Sequence, residues 1–505
     1  MTQPTSAGGP QPQPIQPQPY GRPQPYGQPA PQPYGQPQPY GQPCAQPQPY
    51  AQPQPYAQPA PQPYAQPQPD GQPAPRPYGG PHPGAPGQPL PLPAGAAPAR
   101  LEPSTRLTRA IAPDVARGLM LLAIAIANAT VWLIGRETGL LFRPVDGGPL
   151  DTAANVLGAL FIDNRGYPMF AFLFAYGIHQ LATREAQRGR STAATFGLLA
   201  KRNAWLLAFG LLHGFLLFFG DIIHIYALAA LAALIWLQRA PTWALWVAFG
   251  VTFLPFASFG SFDAGLPGFG GADAYLPEYA SMTAADPLSA LAARVATDFG
   301  GSLPMVPFSV FSLLPPMVLG LIVARTQVLE RPWERPRLAR WLAISGVALA
   351  VLGGLPFALG FIFGAEPSPL WMLAGVLSNV TGIAVGAGVP CLIALAVARL
   401  ERRHLEDPTA STGPVLGALQ ALGRRSMSGY LMQSVLFLAI FPAWSLGVGR
   451  TAGAATAMGV AAAVWLATLL GAVVLERLGK PGPAEWLHRR LVYGPRRAAP
   501  EPAVR

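Results

Sequence analysis

From residue 115 onward, long apolar stretches alternate with short polar connections. A helix needs about 20 apolar residues to cross the roughly 30 Å hydrocarbon core of a bilayer. Backbone groups in lipid need partners within their own segment, and the alternation typical of membrane strands is missing here. The pattern therefore predicts an all-α polytopic transmembrane helix bundle of about ten spans. The predicted spans are 115–134, 166–183, 203–219, 222–238, 242–260, 304–324, 341–363, 370–398, 427–447 and 453–476.

Residues 1–100 have a different composition, because they hold 33 of the 61 prolines in a degenerate Gln-Pro-x-Pro-Tyr repeat. Proline fixes φ and removes a backbone donor, so this segment is predicted to be a disordered, proline-rich tail. It is either a solvated spacer or a ligand for a proline-recognising protein. No signal peptide is expected before it. The predicted divisions are this tail, a transmembrane domain at 101–495 and a short basic tail at 496–505.

The overall composition excludes several classes of protein. Only 11% of the chain is charged and half is hydrophobic, which does not fit a soluble multidomain enzyme. The two cysteines, Cys44 and Cys391, lie in the tail and in an apolar stretch, so no disulfide framework is predicted. The net charge of +11 comes from residues scattered between apolar blocks, and no nucleic-acid motif surrounds them. The predicted partner is the lipid bilayer, and the oligomeric state is left open.

The distribution of basic residues predicts an orientation. An amino terminus inside the cell puts the Arg-rich connections 183–203, 325–340 and 399–426 in the cytoplasm, together with the carboxyl-terminal tail. The preference for arginine over lysine, with abundant alanine and glycine, is typical of a GC-rich bacterial genome. We therefore predict a multi-pass protein of a bacterial plasma membrane with both termini in the cytoplasm.

An ionisable group at bilayer depth costs roughly 2.5 to 3.5 kcal/mol on insertion scales, so polar residues near the spans need a partner or a cavity. Asp114 and Arg117 lead into the first span, and Asn128 follows on nearly the same helical face. Asp114 and Arg117 form either an interfacial ion pair that caps a helix or part of a site that binds a substrate or headgroup.

A second polar group lies around the turn between the third and fourth spans. Asp221 and His224 share a helical face at i,i+3, and His213 lies in the preceding span. If the two helices pack antiparallel, the three side chains converge, and a carboxylate that orients an imidazole makes a general base. The trio forms no recognised zinc pattern, so no metal is predicted. The alternatives are a buried hydrogen-bonded turn without chemistry and a site that handles protons or substrate.

A third polar segment enters the ninth span. Its Ser428, Tyr430 and Gln433 can hydrogen-bond across helices in a medium without water. His179 and Asn379 are lone polar residues, which we interpret as satisfied core groups. The sequence has no Gly-rich phosphate loop and no nucleophile elbow, so no bound cofactor is predicted.

Five segments together resemble a known family. They are Asp114-x-x-Arg117-Gly118, Phe172-Leu-Phe-x-Tyr-Gly177, the His213 to Tyr226 hairpin, Gly423-x-x-Ser426-Met-Ser-x-Tyr430-Leu-x-Gln433-Ser434, and Gly482-Pro-x-Glu485-Trp486-x-x-Arg489-Arg490. In this order they resemble the YeiB-like membrane proteins, or domain of unknown function 418, over residues 106–495. The amino-terminal segment is also similar to membrane acyltransferases of the heparan-alpha-glucosaminide acetyltransferase type. Those acyltransferases have a fold that moves acyl groups across a bilayer, so the resemblance implies a shared fold and not an activity. The YeiB-like family itself is uncharacterised and often regarded as transporters.

One departure bears on the chemistry that the resemblance implies. Membrane acyltransferases that acylate sugars carry an arginine, ten residues and then a histidine, whereas here Arg117 is followed at that spacing by Asn128. A neutral amide is no base, so His213 or His224 with Asp221 would have to serve. Arg165, at the outer end of the second span, is placed to contact an acceptor.

These observations define the candidate residues and two functions. The predicted catalytic residues are His213, Asp221 and His224, and the predicted substrate-binding residues are Asp114, Arg117, Asn128, Arg165, Tyr226, Tyr430, Gln433, Glu485 and Arg489. One function is transfer of an acyl or similar group across the bilayer to an envelope or small-molecule acceptor, with an acyl donor as co-substrate. The alternative is a transporter or exporter of a small molecule. The sequence has no evident inverted repeat of the kind common in transporters, which favours group transfer. It does not identify the substrate.

Overall fold

The computed structural model describes residues 110–265, 279–407 and 411–494. The predicted tails at 1–100 and 496–505 lie outside the described residues. Within the described ranges the regular structure is helical, and the β-pairing is limited to an isolated bridge between Thr138 and Pro144. The all-α fold predicted from the sequence is confirmed.

Thirteen helices are labelled in chain order for the described residues. They are α1 Ile111–Ala129, α2 Pro149–Phe161, α3 Gly166–Gln187, α4 Thr192–Leu216, α5 Ile223–Leu237, α6 Thr242–Phe259, α7 Pro287–Ala324, α8 Pro336–Phe363, α9 Leu370–Glu406, α10 Pro414–Arg424, α11 Ser426–Ile440, α12 Ala454–Arg477 and α13 Pro483–Tyr493. Short helical turns join several of them, and α5 widens into a π-turn at Ala230–Leu234.

Six of the helical segments in the described residues are long and apolar enough to cross a bilayer, and they contain α1, α6, α7, α8, α9 and α12. Their outward faces carry large apolar side chains: Trp243, Val251 and Leu254 on α6 and Trp341 and Ile344 on α8 are each at least two-thirds exposed. Contiguous apolar surface of this kind is unfavourable in water and belongs in lipid. Each of the ten predicted stretches falls on a helix, but the number of spans is not confirmed, because α3, α4, α5 and α11 do not meet the same criterion.

Small residues let the helices approach closely where they cross. A methyl group added at Gly118 on α1 would lie 2.2 Å from the carbonyl oxygen of Leu419 on α10, and one at Gly423 would lie 1.8 Å from the carbonyl oxygen of Asp114. On α8, an added methyl at Gly346 would lie 2.7 Å from the Cα of Gly388 on α9. Such contacts hold membrane helices together by backbone packing. Gly118 and Gly423, which belong to two of the sequence motifs, therefore lie where α1 crosses α10.

Candidate functional site

His213, Asp221 and His224 converge in a buried cluster, termed here the His–Asp–His cluster. His213 lies in the last turn of α4, Asp221 in the connection that follows, and His224 in the first turn of α5. One carboxylate oxygen of Asp221 lies 2.7 Å from Nδ1 of His213, and the other lies 2.8 Å from Nδ1 of His224. The backbone N–H of His224 also donates to Asp221, at 2.9 Å. The packing of α4 against α5 brings the three side chains together, which the sequence had left open.

Two glycines on α4 make room for this turn. A methyl group at Gly210 would lie 2.3 Å from the backbone nitrogen of His224 and 2.9 Å from a carboxylate oxygen of Asp221. At Gly214, an added methyl would lie 2.3 Å from the ring of Phe299. That ring packs edge-on against His224, with the ring centres 5.1 Å apart. The absence of side chains at these two positions lets α4, the turn and the start of α7 close around the cluster.

The side chains of Asp221 and His213 are fully shielded from solvent. A carboxylate only accepts hydrogen bonds, so Nδ1 of each imidazole donates to it, and in the neutral ring Nε2 then carries a lone pair. On His213 this Nε2 lies 2.8 Å from the hydroxyl of Ser434 on α11. On His224 the Nε2 is buried without a hydrogen-bond partner among the described residues. The cluster thus presents two oriented basic nitrogens.

No group of three or more histidine, cysteine or acidic residues in the described part of the chain is arranged to hold a metal ion. In the His–Asp–His cluster itself, both Nδ1 atoms face the carboxylate rather than a shared empty centre. The chemistry that this arrangement supports is proton transfer at the two Nε2 atoms.

A cavity of about 380 Å³ opens between α1, α3, α4, α5, α10, α11 and α13. One part of its wall is basic, with five arginines: Arg117, Arg184, Arg202, Arg424 and Arg489. Two carboxylates, Asp114 and Glu485, also line it, so positive charge is in excess. Its lining on α3 runs from Phe170 to Arg184, which at 1.5 Å per residue is about 20 Å. The part away from Arg184 is apolar, so the cavity is shaped for an anionic amphiphile.

Helix α13 covers the basic end of the cavity, the end at Arg184, Arg202, Arg424 and Arg489. Its Glu485 carboxylate accepts from the backbone N–H groups of Met427 at 2.9 Å and Ser428 at 3.1 Å, in the first turn of α11. Negative charge at that position stabilises a helix amino terminus. Nε2 of His488 donates to the carbonyl of Arg202 on α4, at 3.0 Å. Burial lowers the pKa of His488, and the charges of Arg202 and Arg489 lower it further.

Tyr430 lies between the cavity and the His–Asp–His cluster. It lines the cavity, and its ring centre is 4.9 Å from that of His213. Ile222 and Ile223, which lie between Asp221 and His224 in sequence, line the cavity as well. The cluster therefore stands one layer of side chains behind the apolar part of the cavity wall.

Six of the nine predicted substrate-binding residues line this cavity: Asp114, Arg117, Tyr226, Tyr430, Glu485 and Arg489. Arg117 is paired with the buried Asp114 at 3.0 Å, and it also donates to the carbonyl of Leu173. The hydroxyl of Tyr226 donates to the carbonyl of Tyr167 at 3.1 Å. These side chains come from helices that are far apart in sequence.

Three predicted residues do not line the cavity. Asn128 lies three turns from Arg117 on α1, beyond Ile124, the last α1 residue of the lining. Gln433 is buried and donates to the carbonyl of Leu121 at 3.3 Å. Arg165 is buried in a separate polar group, where it donates to the carbonyls of Ser378 and Ala350 at 3.0 and 2.9 Å. These contacts tie α3 to α8 and α9, so the arginine is occupied by helix packing.

Several residues at the site were not among the sequence candidates. Ser434 was noted only as part of a motif, and its contact with His213 joins helices more than 200 positions apart. Arg184, Arg202 and Arg424 were counted as loop charges without a role in a site. Their nearness to spans 2, 3 and 9 was the available signal, but only the packing of α3, α4 and α10 shows that they share one cavity.

The fold and its apolar outer surface define a multi-pass helical membrane protein in contact with the lipid bilayer. Residues 323–495 match the model of the family described as protein of unknown function, DUF418. This range is the carboxyl-terminal part of the region in which the motifs resemble that family. The chain is also similar to the uncharacterized protein YxaH of Bacillus subtilis (strain 168), with 24% identity over 417 residues, which cover 78% of this chain and 96% of the relative.

Proposed function

We propose that this protein is a membrane-embedded transferase. It moves an acyl or similar group from a donor bound at the basic end of the cavity to an acceptor reached from the opposite end of the bundle. The observation that carries the proposal is the position of the His–Asp–His cluster, one side-chain layer behind an amphiphilic cavity with an arginine-lined mouth.

The lining of the cavity supports a donor with a phosphate-bearing head and an apolar body. Guanidinium groups bind phosphate with paired hydrogen bonds, and Arg184, Arg202 and Arg489 come from three different helices at the basic end. Arg117 lines the cavity further in, beside Leu173. The apolar side chains of Leu121, Phe170 and others continue inward. With the predicted orientation, the mouth faces the cytoplasm, where activated donors are made.

The His–Asp–His cluster supplies the acid and base of the proposed transfer. The carboxylate of Asp221 orients both rings, and an Nε2 takes the proton from the attacking hydroxyl of the acceptor. The same nitrogen returns the proton to the leaving group of the donor. A general base of this kind contributes typically 10²- to 10⁴-fold to a rate, so loss of the cluster should be seen clearly in a product assay.

The test compares the envelope lipids, glycans and metabolites of a deletion strain with those of strains carrying variants. His224→Ala and Arg117→Ala should fail to restore the compound that the deletion strain lacks. His179→Ala and Arg450→Ala are matched controls outside the cavity lining and should restore it. Membrane yield is measured for each, because Arg117→Ala also leaves the buried Asp114 without its ion pair; Arg117→Lys, which keeps the charge, accompanies it.

Full restoration by both His224→Ala and Arg117→Ala would refute the site. A third pattern would favour the alternative, a transporter that uses the same cavity as a passage. In that case the cluster variants would restore the compound, the arginine variants would not, and the unmodified compound would accumulate on one side of the membrane.

A further inference from the structure

Ser434 completes a hydroxyl–imidazole–carboxylate chain in the bundle. Its Oγ lies 2.8 Å from Nε2 of His213, whose Nδ1 lies 2.7 Å from Asp221. All three residues are at least 97% buried. The serine comes from α11, whereas the other two come from α4 and the turn after it, so helix packing rather than local sequence creates the contact.

The direction of this hydroxyl differs from that of several hydroxyls on the membrane helices. Serine and threonine in a helix usually donate to a carbonyl three or four residues earlier. Thr252, Ser345 and Thr468 all do so, at 2.8, 3.1 and 2.7 Å. Ser434 points instead at an imidazole lone pair that a buried carboxylate holds in place. This is the arrangement in which a base takes the proton of a serine nucleophile.

The reach from the cavity to Ser434 is short. Tyr430, one turn earlier on α11, lines the cavity, and its ring packs against His213. Four residues of helix correspond to about 6 Å of rise. A reaction at Ser434 therefore requires the Tyr430 ring to turn aside, so that a group at the apolar end of the cavity can reach the hydroxyl.

We propose that Ser434 is a nucleophile that carries the transferred acyl group as a covalent ester; this rests on the proposed function. Ser434 Oγ attacks the carbonyl carbon of an acyl thioester while its proton passes to Nε2 of His213. The carbon–sulfur bond breaks, and the leaving thiolate takes that proton. An acceptor hydroxyl then gives its proton to His213 and attacks the ester carbon. The carbon–oxygen bond to Ser434 breaks, and Ser434 recovers the proton, with no net oxidation or reduction.

An alkyl fluorophosphonate tests the nucleophile directly, because the attacking serine displaces fluoride and keeps the phosphonyl group. The full-length protein in detergent is incubated with a long-chain probe and examined by intact mass and peptide mapping. The wild type should gain one phosphonyl group on Ser434. Ser434→Ala should gain none, and His213→Asn should react at least about 100-fold more slowly. Ser312→Ala removes another buried hydroxyl, one bonded to its own helix, and should react like the wild type.

A thermal unfolding midpoint is recorded for each variant. If Ser434→Ala unfolds, Ser434→Cys is used in its place, and its thiol is probed with an alkyl maleimide. A folded wild type that gains no adduct at Ser434, or an adduct whose rate is independent of His213, overturns the covalent role. Complementation separates this failure from that of the proposed function. If Ser434→Ala restores the missing compound and His213→Ala does not, transfer stands without a serine intermediate.

Discussion

Asp221 carries its carboxylate inside a membrane bundle, where an isolated charge is unfavourable. Three N–H donors offset its desolvation: Nδ1 of His213, Nδ1 of His224 and the backbone of His224. Removal of either histidine therefore costs stability, because the buried charge of Asp221 then loses one of its donors. At the scale of single residues, the cluster therefore stabilises the contact between α4 and α5 and is also the proposed acid–base centre.

Gly210 tests whether the cluster depends on the close approach of α4. Gly210→Ala places a methyl group 2.3 Å from the backbone nitrogen of His224, so α5 or Asp221 has to move. We expect a loss of about 1–3 kcal/mol in the free energy of unfolding, as for other overpacked sites, together with slower reaction of Ser434 with the fluorophosphonate. The unfolding midpoint in detergent and the labelling rate measure the two effects.

Gly250→Ala on α6 is the matched control, since an added methyl there meets open space. Alanine is a better helix former than glycine, so this variant should be unchanged or stabilised by up to about 1 kcal/mol. If Gly210→Ala behaved like Gly250→Ala in both measurements, the cluster would not depend on the close approach of α4 to α5.

At this scale, the sequence predicted the contacts between neighbours and missed those between distant helices. The i,i+3 spacing of Asp221 and His224 placed those two residues on one helical face, but whether His213 joins them depended on how α4 packs against α5, which the sequence left open. The contact between Ser434 and His213 could not be predicted from the sequence, because it depends on how α11 packs against α4. Arg117 and Asn128 share a helical face, but only Arg117 lines the cavity. A shared face was therefore not enough to predict a shared site.

At the scale of elements, α13 is the helix whose docking is most easily tested. Glu485 holds it to the first turn of α11 through Met427 and Ser428. Glu485→Ala removes this anchor and a favourable charge at a helix amino terminus, which together are typically about 0.5–2 kcal/mol. We expect trypsin to cut after Arg489 or Arg490 at least several-fold faster than in the wild type.

Glu334→Ala serves as its control, because that glutamate forms an exposed ion pair with Arg331 away from α13. Surface pairs contribute about 0–1 kcal/mol, so the cleavage rate should stay at the wild-type value. Equal cleavage of wild type and Glu485→Ala would show that the carboxylate does not anchor the helix.

His488 makes the docking of α13 depend on pH. Burial lowers its pKa in the docked helix, whereas an undocked histidine titrates near its ordinary value of about 6.5. The undocked form therefore binds protons more readily as pH falls through that value, so docking is strongest above about pH 7 and weakens in mild acid. Trp486 fluorescence and the trypsin rate should change between pH 8 and 5.5. His488→Gln, which keeps a donor without titrating, should abolish the change, and an unaltered profile would contradict this role.

The helices that the sequence did not predict are short or amphipathic. The apolar stretches located α1, α3 to α9, α11 and α12, because a membrane span has a strong hydropathy signal. Helices α2, α10 and α13 have 13, 11 and 11 residues, which is shorter than a membrane span, so no such signal marks them. Yet α13 covers the basic end of the cavity and α10 crosses α1, so the site could not be assembled from the predicted spans alone.

At the scale of the whole molecule, the bundle anchors its own first helix. The backbone N–H of Ile111, at the start of α1, donates to the carboxylate of Glu401 on α9 at 2.9 Å. Removal of residues 1–98 should therefore leave the membrane domain folded. The truncated protein should reach the membrane in wild-type amount and unfold within about 2 °C of the full chain, as for changes with little effect on stability. Loss of the truncated protein from the membrane would contradict this independence.

The account as a whole depends on a charged Asp221 that orients two imidazoles behind the cavity. Asp221→Asn is the most direct test, because it keeps the size of the side chain but replaces a pure acceptor by an amide that also donates, which disfavours the required histidine tautomer. Asp146→Asn, in an ion pair that is partly exposed, is the matched control. In the deletion strain, we predict that Asp221→Asn reaches normal membrane levels but forms roughly 10²- to 10⁴-fold less of the missing compound, while the control restores it. Full restoration by Asp221→Asn would contradict the account.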